Sequence, residues 1–584
     1  MEQQDEKLAH IRHSLSHLLA IAALEHDPEA KLGIGPVIDN GFYYDISFSK
    51  PLSEDDLPAL EDRMRALIKE DLPFKRIEVT ADEARETFKD QPFKLELIDE
   101  LESKNEPLSL YATGDNFIDL CRGGHVDTTK EIPATAFAIT HLAGAYWRGD
   151  EKNPMLTRVY GLAFNTKDDL KKYQTQREEA KKRDHRKLGK EMDLFTFSDL
   201  VGSGMPLWTP RGNTVRNAII NYSRELNDKL GFGEVHTPNI NKAELFKISG
   251  HYDQYKEDML SVSSQYVADE MFMKPMNCPQ HTQIFASKQR SYRDLPIRYS
   301  DFANLYRDER PGELSGLTRL RSFAQDDGHI FCRENQIEGE ISNVLDAIEE
   351  ALKTYGIGYW MRLSLRDSEN KEKYLGDDAV WERSQDILRK LLKEKGIENK
   401  EAEGEAAFYG PKIDIMAVDA LGRQWQISTV QLDFSMPERF DLYCINEKSE
   451  KERVVMIHRA LIGSPDRFLG ILIEHYGGHF PLWLAPEQVR VVPVTDAHIP
   501  YATEVYNELK TAGLRVSLAD DNDSMGKKIR AAKTEKVPYF LVIGDQEVAA
   551  NEVTVEHNAA GKIGVMSVAD FVKRTKEEIE GRKA

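Results

Sequence analysis

Cys278, His329 and His458 favour soft or borderline metals, yet they lie far apart in the chain. That spacing is unlike the close pairs of a zinc finger, so an ion shared by them has to be built by tertiary structure. Phosphate-grade cations surround them in sequence: Tyr306-Arg307-Asp308-Glu309, Arg319-Leu320-Arg321-Ser322-Phe323, and Gly463-Ser464-Pro465-Asp466-Arg467. Arginine's planar fork matches phosphate and carboxylate oxygens two at a time. Arg307, Arg319 and Arg467 therefore suit a clamp on a triphosphate and a carboxylate, with Phe323 placed to stack on a base. Taken singly, each arginine is more often a surface or salt-bridge residue, and the clustering with His and Cys is what shifts the reading. No GxxxxGK[ST] phosphate loop occurs, which argues against a P-loop enzyme. Together these residues suggest a zinc ion in a nucleotide-handling site.

A chain of 584 residues is too long for one core and suggests three or four domains. Its 40% hydrophobic content fits globular structure, and no apolar run is long enough to span a bilayer. The charged N-terminus shows no secretion signal. Four cysteines (Cys121, Cys278, Cys332, Cys444) are too few for a disulfide scaffold, so reduced thiols in a cytoplasmic setting are expected. A net charge of −21 argues against bulk nonspecific nucleic-acid binding. It leaves room for a local basic surface, and Lys181-Lys182-Arg183-Asp184-His185-Arg186-Lys187 is either that or a solvated helix face.

Along the chain, Leu8, Ile11, Leu15, Leu18, Leu19 and Ala22 recur at helical steps and predict a helix over 6–25. Asn40-Gly41 marks a hairpin within 33–44. Residues 166–192, rich in Lys, Glu, Gln and Arg, read as a helical connector. The last hundred residues predict strands at 489–494, 514–518 and 539–544 and helices near 500–512 and 525–534, a compact α/β region with a mostly parallel sheet. Near the N-terminus, His13-Ser14-Leu15-Ser16-His17 places two imidazoles on one helical face. Cys121-Arg122-Gly123-Gly124-His125, preceded by Asp119, adds a thiol and a third. These four ligands are a zinc set, ordinary core residues, or a hydrolytic site.

Arg307-Asp308-Glu309 through Arg319 and Phe323 resembles motif two of class II aminoacyl-tRNA synthetases. Gly463 to Phe468 resembles motif three, and the segment ending at Pro238 resembles motif one. With the thiol and imidazoles, and with blocks such as Phe408-Tyr409-Gly410-Pro411-Lys412 and Thr429-Val430-Gln431-Leu432-Asp433-Phe434, the chain is similar to bacterial threonyl-tRNA synthetases over nearly its whole length. The resemblance implies an α+β multidomain fold: an N-terminal α/β editing domain (1–165), a helical linker (166–192), a class II catalytic core on an antiparallel sheet (193–485), and a C-terminal α/β anticodon-binding domain (486–584).

It further implies ATP-dependent activation of L-threonine, transfer to tRNA(Thr), hydrolysis of mischarged seryl-tRNA, and a homodimer with no membrane contact. Zinc is expected on Cys278, His329 and His458, one ion per subunit, open to the substrate's amine and hydroxyl. Arg307 is expected on the α-phosphate and substrate carboxylate, and Arg319 and Arg467 on the distal phosphates, with Mg2+ accompanying ATP. Phe323 and Arg467 sandwich adenine in this reading. Asp327 and Tyr409 contact the amine, Gln325 and Gln431 line the pocket, and Glu309, Lys412, Gln426, Thr429 and Ser464 complete the substrate site.

Serine also offers an amine and a hydroxyl, and one methyl is worth only about 1–3 kcal/mol, so a second, hydrolytic sieve is physically expected. His13, His17, Cys121 and His125, with Tyr44, Lys94 and Asp119, match that editing site. The threonyl family generally works there without a resident metal, and a water held by His13, Lys94 and a hydroxyl of the terminal ribose, as general base or orienter, is the expected nucleophile. Gly124 stands where the family has proline, and glycine is expected to adopt the same conformation at greater entropic cost.

Asn522 and Glu547 match anticodon-reading positions. Glu556 and Asn558 replace two arginines of the family's Val-x-Val-Arg-x-Arg strand, so bidentate reading from that strand is expected to be lost. The editing helix begins close to Met1, so the family's N-terminal β-grasp domain is expected to be absent. A prolyl or seryl enzyme is the nearest rival, and a tRNA-binding regulator without catalysis is a rival of another class. Neither rival enzyme needs the Cys278, His329 and His458 set.

Overall fold

The computed structural model describes residues 2–115 and 117–582, with side chains from Glu6 onward. The chain divides into two compact units, Met1–Glu178 and Glu179–Ala584. No helix among the described residues is long and apolar enough to cross a membrane.

The first unit is built on helix α1 (Glu2–His26). Its buried Leu15, Leu18, Leu19 and Ala22 form the stripe read from the sequence. That stripe packs against strand β1 (Gly41–Ser47) within a mixed core that includes Phe42 and Ile46. The expected hairpin is present: Val37–Ile38 pairs antiparallel with β1, and Asn40 takes φ 62 at the turn. Helix α2 (Pro92–Ser103) carries Lys94 inward. Strands β2 (Ser109–Thr113) and β3 (Phe117–Leu120) pair antiparallel and deliver Asp119. Strands β4 (Phe137–Tyr146) and β5 (Met155–Ala163) complete the sheet begun by β1.

The predicted connector forms two helices, α3 (Lys167–Arg183) and α4 (His185–Glu191). They break at Asp184, whose carboxylate caps α4 by accepting from the Arg186 N–H.

The second unit centres on an eight-stranded sheet. Helix α5 (Cys278–Ala286) precedes strands β6 (Ile297–Asp301) and β7 (Asp327–Cys332). Strands β8 (Gly358–Leu365), β9 (Lys412–Val418), β10 (Gln424–Asp433) and β11 (Val455–Ala460) follow. The order β6-β7-β11-β10-β9-β8 is antiparallel throughout, and a short parallel strand closes each edge. Helix Ile337–Thr354 covers one face with Ile341, Val344, Leu345 and Ile348. Helix α6 (Pro465–Tyr476) buries nearly all of its length in the same core. The hairpin Asn304–Tyr306 with Ser322–Ala324 brackets the loop that holds Arg307 and Arg319.

The C-terminal region has β12 (Val489–Pro493), helix α7 (Met525–Thr534), β13 (Tyr539–Ile543), β14 (Val553–His557) and β15 (Gly561–Met566). The sheet is not mostly parallel as expected. Strand β12 runs parallel to Val516–Leu518 and β13, but β14 and β15 are antiparallel. The link from Ile543 to Val553 is shorter than the dozen or so residues a parallel crossover needs, so the chain turns back.

Candidate active sites

Strand register creates the first site. His329 on β7 stands directly opposite His458 on β11, and Gln431 on β10 stands opposite His458 from the other side. In an antiparallel sheet such partners share a face. Cys278 opens α5, and its Sγ lies within 4.8 Å of donor nitrogens of both imidazoles. All three side chains are buried.

Hydrogen bonds fix how the two rings are oriented. His458 Nε2 lies 2.9 Å from Asp433 Oδ2, and a carboxylate demands a donor there, so Nδ1 keeps its lone pair toward the centre. His329 Nδ1 meets His281 Nδ1 at 2.7 Å, and the buried Nε2 of His281 lies 4.0 Å from Asp301 Oδ2, beyond hydrogen-bond reach. A proton on His329 Nδ1, donated to His281, turns the lone pair of His329 Nε2 toward His458 Nδ1, 3.1 Å away. Two imidazole lone pairs and a thiol thus converge, which repel one another unless a cation or proton lies between them. The donor set and its carboxylate-backed histidine fit a borderline divalent metal.

Burial sets the charges. It pushes the Cys278 thiol well above its usual range, with Asp327 and Asp433 adding to the shift. Burial also holds His329 well below the usual imidazole value, reinforced by His281 and His458, so the ring stays neutral as a metal ligand requires. His251, whose Nε2 is 3.9 Å from Cys278 Sγ, is lowered to about 3 by burial and by His458. Asp327 is raised by burial, and its Oδ2 accepts from the Asn277 N–H. Tyr409 stacks on His458 with centroids 4.7 Å apart and donates to Gln431 Oε1 at 2.5 Å.

From this centre a cleft of about 930 Å3 runs past Arg307, Arg319 and Arg467. Its walls hold every side chain named from the sequence for catalysis, substrate and metal: Cys278, Arg307, Glu309, Arg319, Phe323, Gln325, Asp327, His329, Tyr409, Lys412, Gln426, Thr429, Gln431, His458, Ser464 and Arg467. The guanidinium of Arg307 lies 5.2 Å from the centroid of the Phe323 ring. Arg319 donates to Glu309 at 2.7 Å and to Glu313 at 3.0 Å. Arg467 is lowered by burial and by the neighbouring Arg319 and Arg307, and its buried Nε has no protein acceptor. Three convergent cations, one of them desolvated and lacking an acceptor, form a receptor for an anion.

Several contributors escaped the sequence reading. Asp414 is fully buried and accepts from Ser364, Arg362, Gln426 and Thr429, with Lys412 Nζ 3.0 Å away. It holds three substrate-site side chains, Lys412, Gln426 and Thr429, in place. Asp433 lay inside a recognised block, and His281 sits one turn after Cys278 on α5. Nothing in the sequence singles out His251.

The second site lies wholly within the first unit. His13, His17, Cys121 and His125 offer donor atoms that all lie within 4.8 Å of one another. Cys121 Sγ is 3.4 Å from His13 Nε2 and 3.2 Å from His125 Nε2. Burial pushes that thiol up to about 11 and lowers all three imidazoles. Beneath them, Lys94 Nζ pairs with Asp119 Oδ1 at 2.5 Å and donates to the Tyr44 hydroxyl at 3.0 Å. That hydroxyl donates to Asp119 Oδ2 at 2.5 Å. The sequence-named residues thus form one network, buried at His17, Tyr44, Lys94 and Asp119 and half-buried at His13, Cys121 and His125.

Gly124 corrects an expectation. Its φ of +86 is closed to proline, whose ring fixes φ near −65°, so this turn is not the family's proline conformation adopted by glycine. At the anticodon positions, Asn522 is exposed. The Glu547 carboxylate already accepts from the Gly544 N–H and the Thr554 hydroxyl. Asn558 donates to the Val537 carbonyl at 3.1 Å.

Known families match the first site and the Asp119, Cys121 and His125 part of the second. The tRNA synthetase class II core domain (G, H, P, S and T) matches residues 261–476, an anticodon binding domain matches 488–578, and the threonyl and alanyl tRNA synthetase second additional domain matches 108–160. The chain is 46% identical over 597 residues to the threonine–tRNA ligase of Thermus thermophilus, covering 100% of this chain and 90% of that protein. It is 47% identical over 581 residues to that of Rubrobacter xylanophilus, covering 99% and 90%. The chain belongs to the threonine–tRNA ligase family. Its fold is similar to the RNA binding domain of threonyl-tRNA synthetase from Cryptosporidium parvum Iowa II, with TM-score 0.65 and 37% identity over 68% of this chain and 98% of that one. Giardia lamblia prolyl-tRNA synthetase shares the fold, with TM-score 0.55 at 18% identity, covering 70% of this chain and 80% of that one.

Proposed function

We infer that the protein ligates L-threonine to tRNA(Thr) in two steps and clears seryl-tRNA(Thr) by hydrolysis. The reading rests on one observation: the Cys278, His329 and His458 donors share a cleft with Arg307, Arg319 and Arg467, in a chain 46% identical to a threonine–tRNA ligase over its full length.

In the first step the threonine carboxylate attacks the α-phosphorus of ATP in line and pyrophosphate departs. Arg307 neutralises charge on the α-phosphate and carboxylate. Arg319 leaves its glutamates for the distal phosphates, which Mg2+ accompanies, and the desolvated Arg467 gains the acceptor its Nε lacks. Phe323 and Arg467 enclose adenine. Tyr409, Gln431 and Asp327 orient the amine. Cys278, His329 and His458 would hold a zinc ion, which would supply Lewis-acid recognition of an amine together with a hydroxyl, and valine has no hydroxyl to offer. In the second step a terminal ribose hydroxyl of the tRNA attacks the carbonyl and AMP leaves.

Serine passes the first test, and the His13, His17, Cys121 and His125 cluster acts on the mischarged product. His13 and Lys94 hold the water, with a hydroxyl of the terminal ribose, while Tyr44 and Asp119 hold the pocket's shape. In this reading residues 1–165 are the editing domain, 166–192 the linker, 193–485 the catalytic core and 486–584 the anticodon-binding domain, with Asn522 and Glu547 at the anticodon. The chain works as a cytoplasmic homodimer paired through motif one. Pyrophosphate exchange with threonine, valine, serine and proline tests the reading. Exchange should be strong with threonine, weaker with serine and absent with valine and proline. Equal exchange with valine removes the metal argument, and tRNA binding without any exchange favours a regulator.

A further inference from the structure

The segment Lys181–Lys187 reads in sequence as a basic surface, yet its histidine faces inward: His185 is 4% exposed. The Leu317 N–H donates to His185 Nε2 at 2.9 Å. A backbone N–H can only donate, so Nε2 carries no proton and Nδ1 does. Nδ1 lies 2.5 Å from Glu474 Oε1 on α6, and the same oxygen accepts from the His185 backbone N–H at 3.0 Å. The ring is thus held in one tautomer and one orientation.

Leu317 is the fully buried tip of a tight turn closed by paired bonds between Ser315 and Arg319. Gly316, at φ +49, lies so close that a Cβ there would come within 2.2 Å of His185 Nε2. Two residues beyond the tip stands Arg319. On its other side Glu474 pairs with Arg423, and the guanidinium of Arg423 lies 5.4 Å from the Trp425 ring centroid. Arg467 lies 5.8 Å from that same ring. One chain of contacts therefore joins the turn that carries Arg319 to the surroundings of Arg467.

We propose that His185 is a positioning residue for ATP: its Nε2 fixes the Leu317 turn, and through it Arg319, opposite Arg467. This rests on the ligase reading above and adds a residue outside the cleft wall to it. His185→Asn places an amide near Nδ1, which keeps the tie to Glu474 and strands the buried Leu317 N–H. His185→Gln places its amide oxygen near Nε2, which keeps the acceptor for Leu317.

In threonine-dependent pyrophosphate exchange by the full-length protein, His185→Asn should raise KM for ATP about tenfold, the cost of one stranded buried donor. KM for threonine should stay within about twofold, and His185→Gln should hold KM for ATP within about threefold of wild type. A purely packing role predicts similar losses of melting temperature and no separation of the two variants in KM for ATP, and that result overturns the proposal. If His185→Asn does not fold, Gly316→Ala keeps the histidine and pushes the turn away from it. An unchanged KM for ATP in that variant overturns the proposal equally. A wild-type protein without threonine-dependent exchange would refute the ligase reading instead.

Discussion

Replacing Asp433 with Asn changes one atom, and its effect on metal binding can be worked from the hydrogen bonds. Asp433 Oδ1 accepts from the Ser435 and Met436 N–H groups at 2.7 and 2.9 Å, while Oδ2 faces His458 Nε2 at 2.9 Å. In the variant, an amide oxygen that keeps both backbone bonds turns the NH2 toward His458. The ring then accepts at Nε2 and carries its proton on Nδ1, where the lone pair for a metal is needed. Binding an ion requires either two donors facing each other at Nε2 or a rotated amide that strands both backbone N–H groups. Each route costs about 2 to 3 kcal/mol, the worth of one charge-assisted or two ordinary hydrogen bonds. At 1.4 kcal/mol per tenfold, that is roughly 30- to 140-fold in zinc affinity. Competition against a chelator of known zinc affinity measures it, with the melting temperature of the metal-free protein as control. That temperature should change little, because the backbone bonds survive. Zinc affinity within about threefold of wild type would refute the tautomer argument.

Other outcomes follow from the same geometry. Cys278→Ser should lose bound zinc and threonine activation together, checked by metal analysis and pyrophosphate exchange, since a serine hydroxyl is a poor substitute for thiolate. His13→Ala with His17→Ala should leave threonylation intact while seryl-tRNA accumulates, and normal clearance of seryl-tRNA would show that the site was misread. Burial opposes the charge of Glu487, but Arg490, Ser517 and Arg211 outweigh it and hold the carboxyl below its ordinary range. A carboxyl lowered in the folded state stabilises fully above its unfolded pKa of about 4.3 and loses that stabilisation as pH falls through the lower folded value. Urea midpoints should therefore drop below about pH 4.3 in wild type, and the part due to this group should vanish in Glu487→Gln.

The long periodic segments were legible because their apolar spacing is local: α1, α7 and the C-terminal strands lie where the pattern put them. The cleft residues were legible through motif chemistry, since arginines, a thiol and imidazoles in one nucleotide-handling chain have few other uses. What the sequence hid was the support beneath them. Asp414, Asp433 and His281 act through strand pairing between distant segments, and no spacing rule reports which carboxylate ends up behind which histidine. His185 was hidden differently. Most of its neighbours are cations, so composition described the segment's surface and missed the one side chain that turned inward. The mixed direction of the last sheet depended on the brevity of a single link, which residue propensities do not encode.

The opposition of His329 and His458 across β7 and β11 has a consequence for how the chain matures. Side chains along a strand alternate between faces, so sliding one strand by a single position would carry one imidazole to the far side of the sheet. The cation can be captured only after two segments separated by more than a hundred residues have aligned without slippage. On the proposed zinc reading, uptake of the ion would then be an audit of assembly: a core misaligned at this register could not bring Cys278, His329 and His458 together.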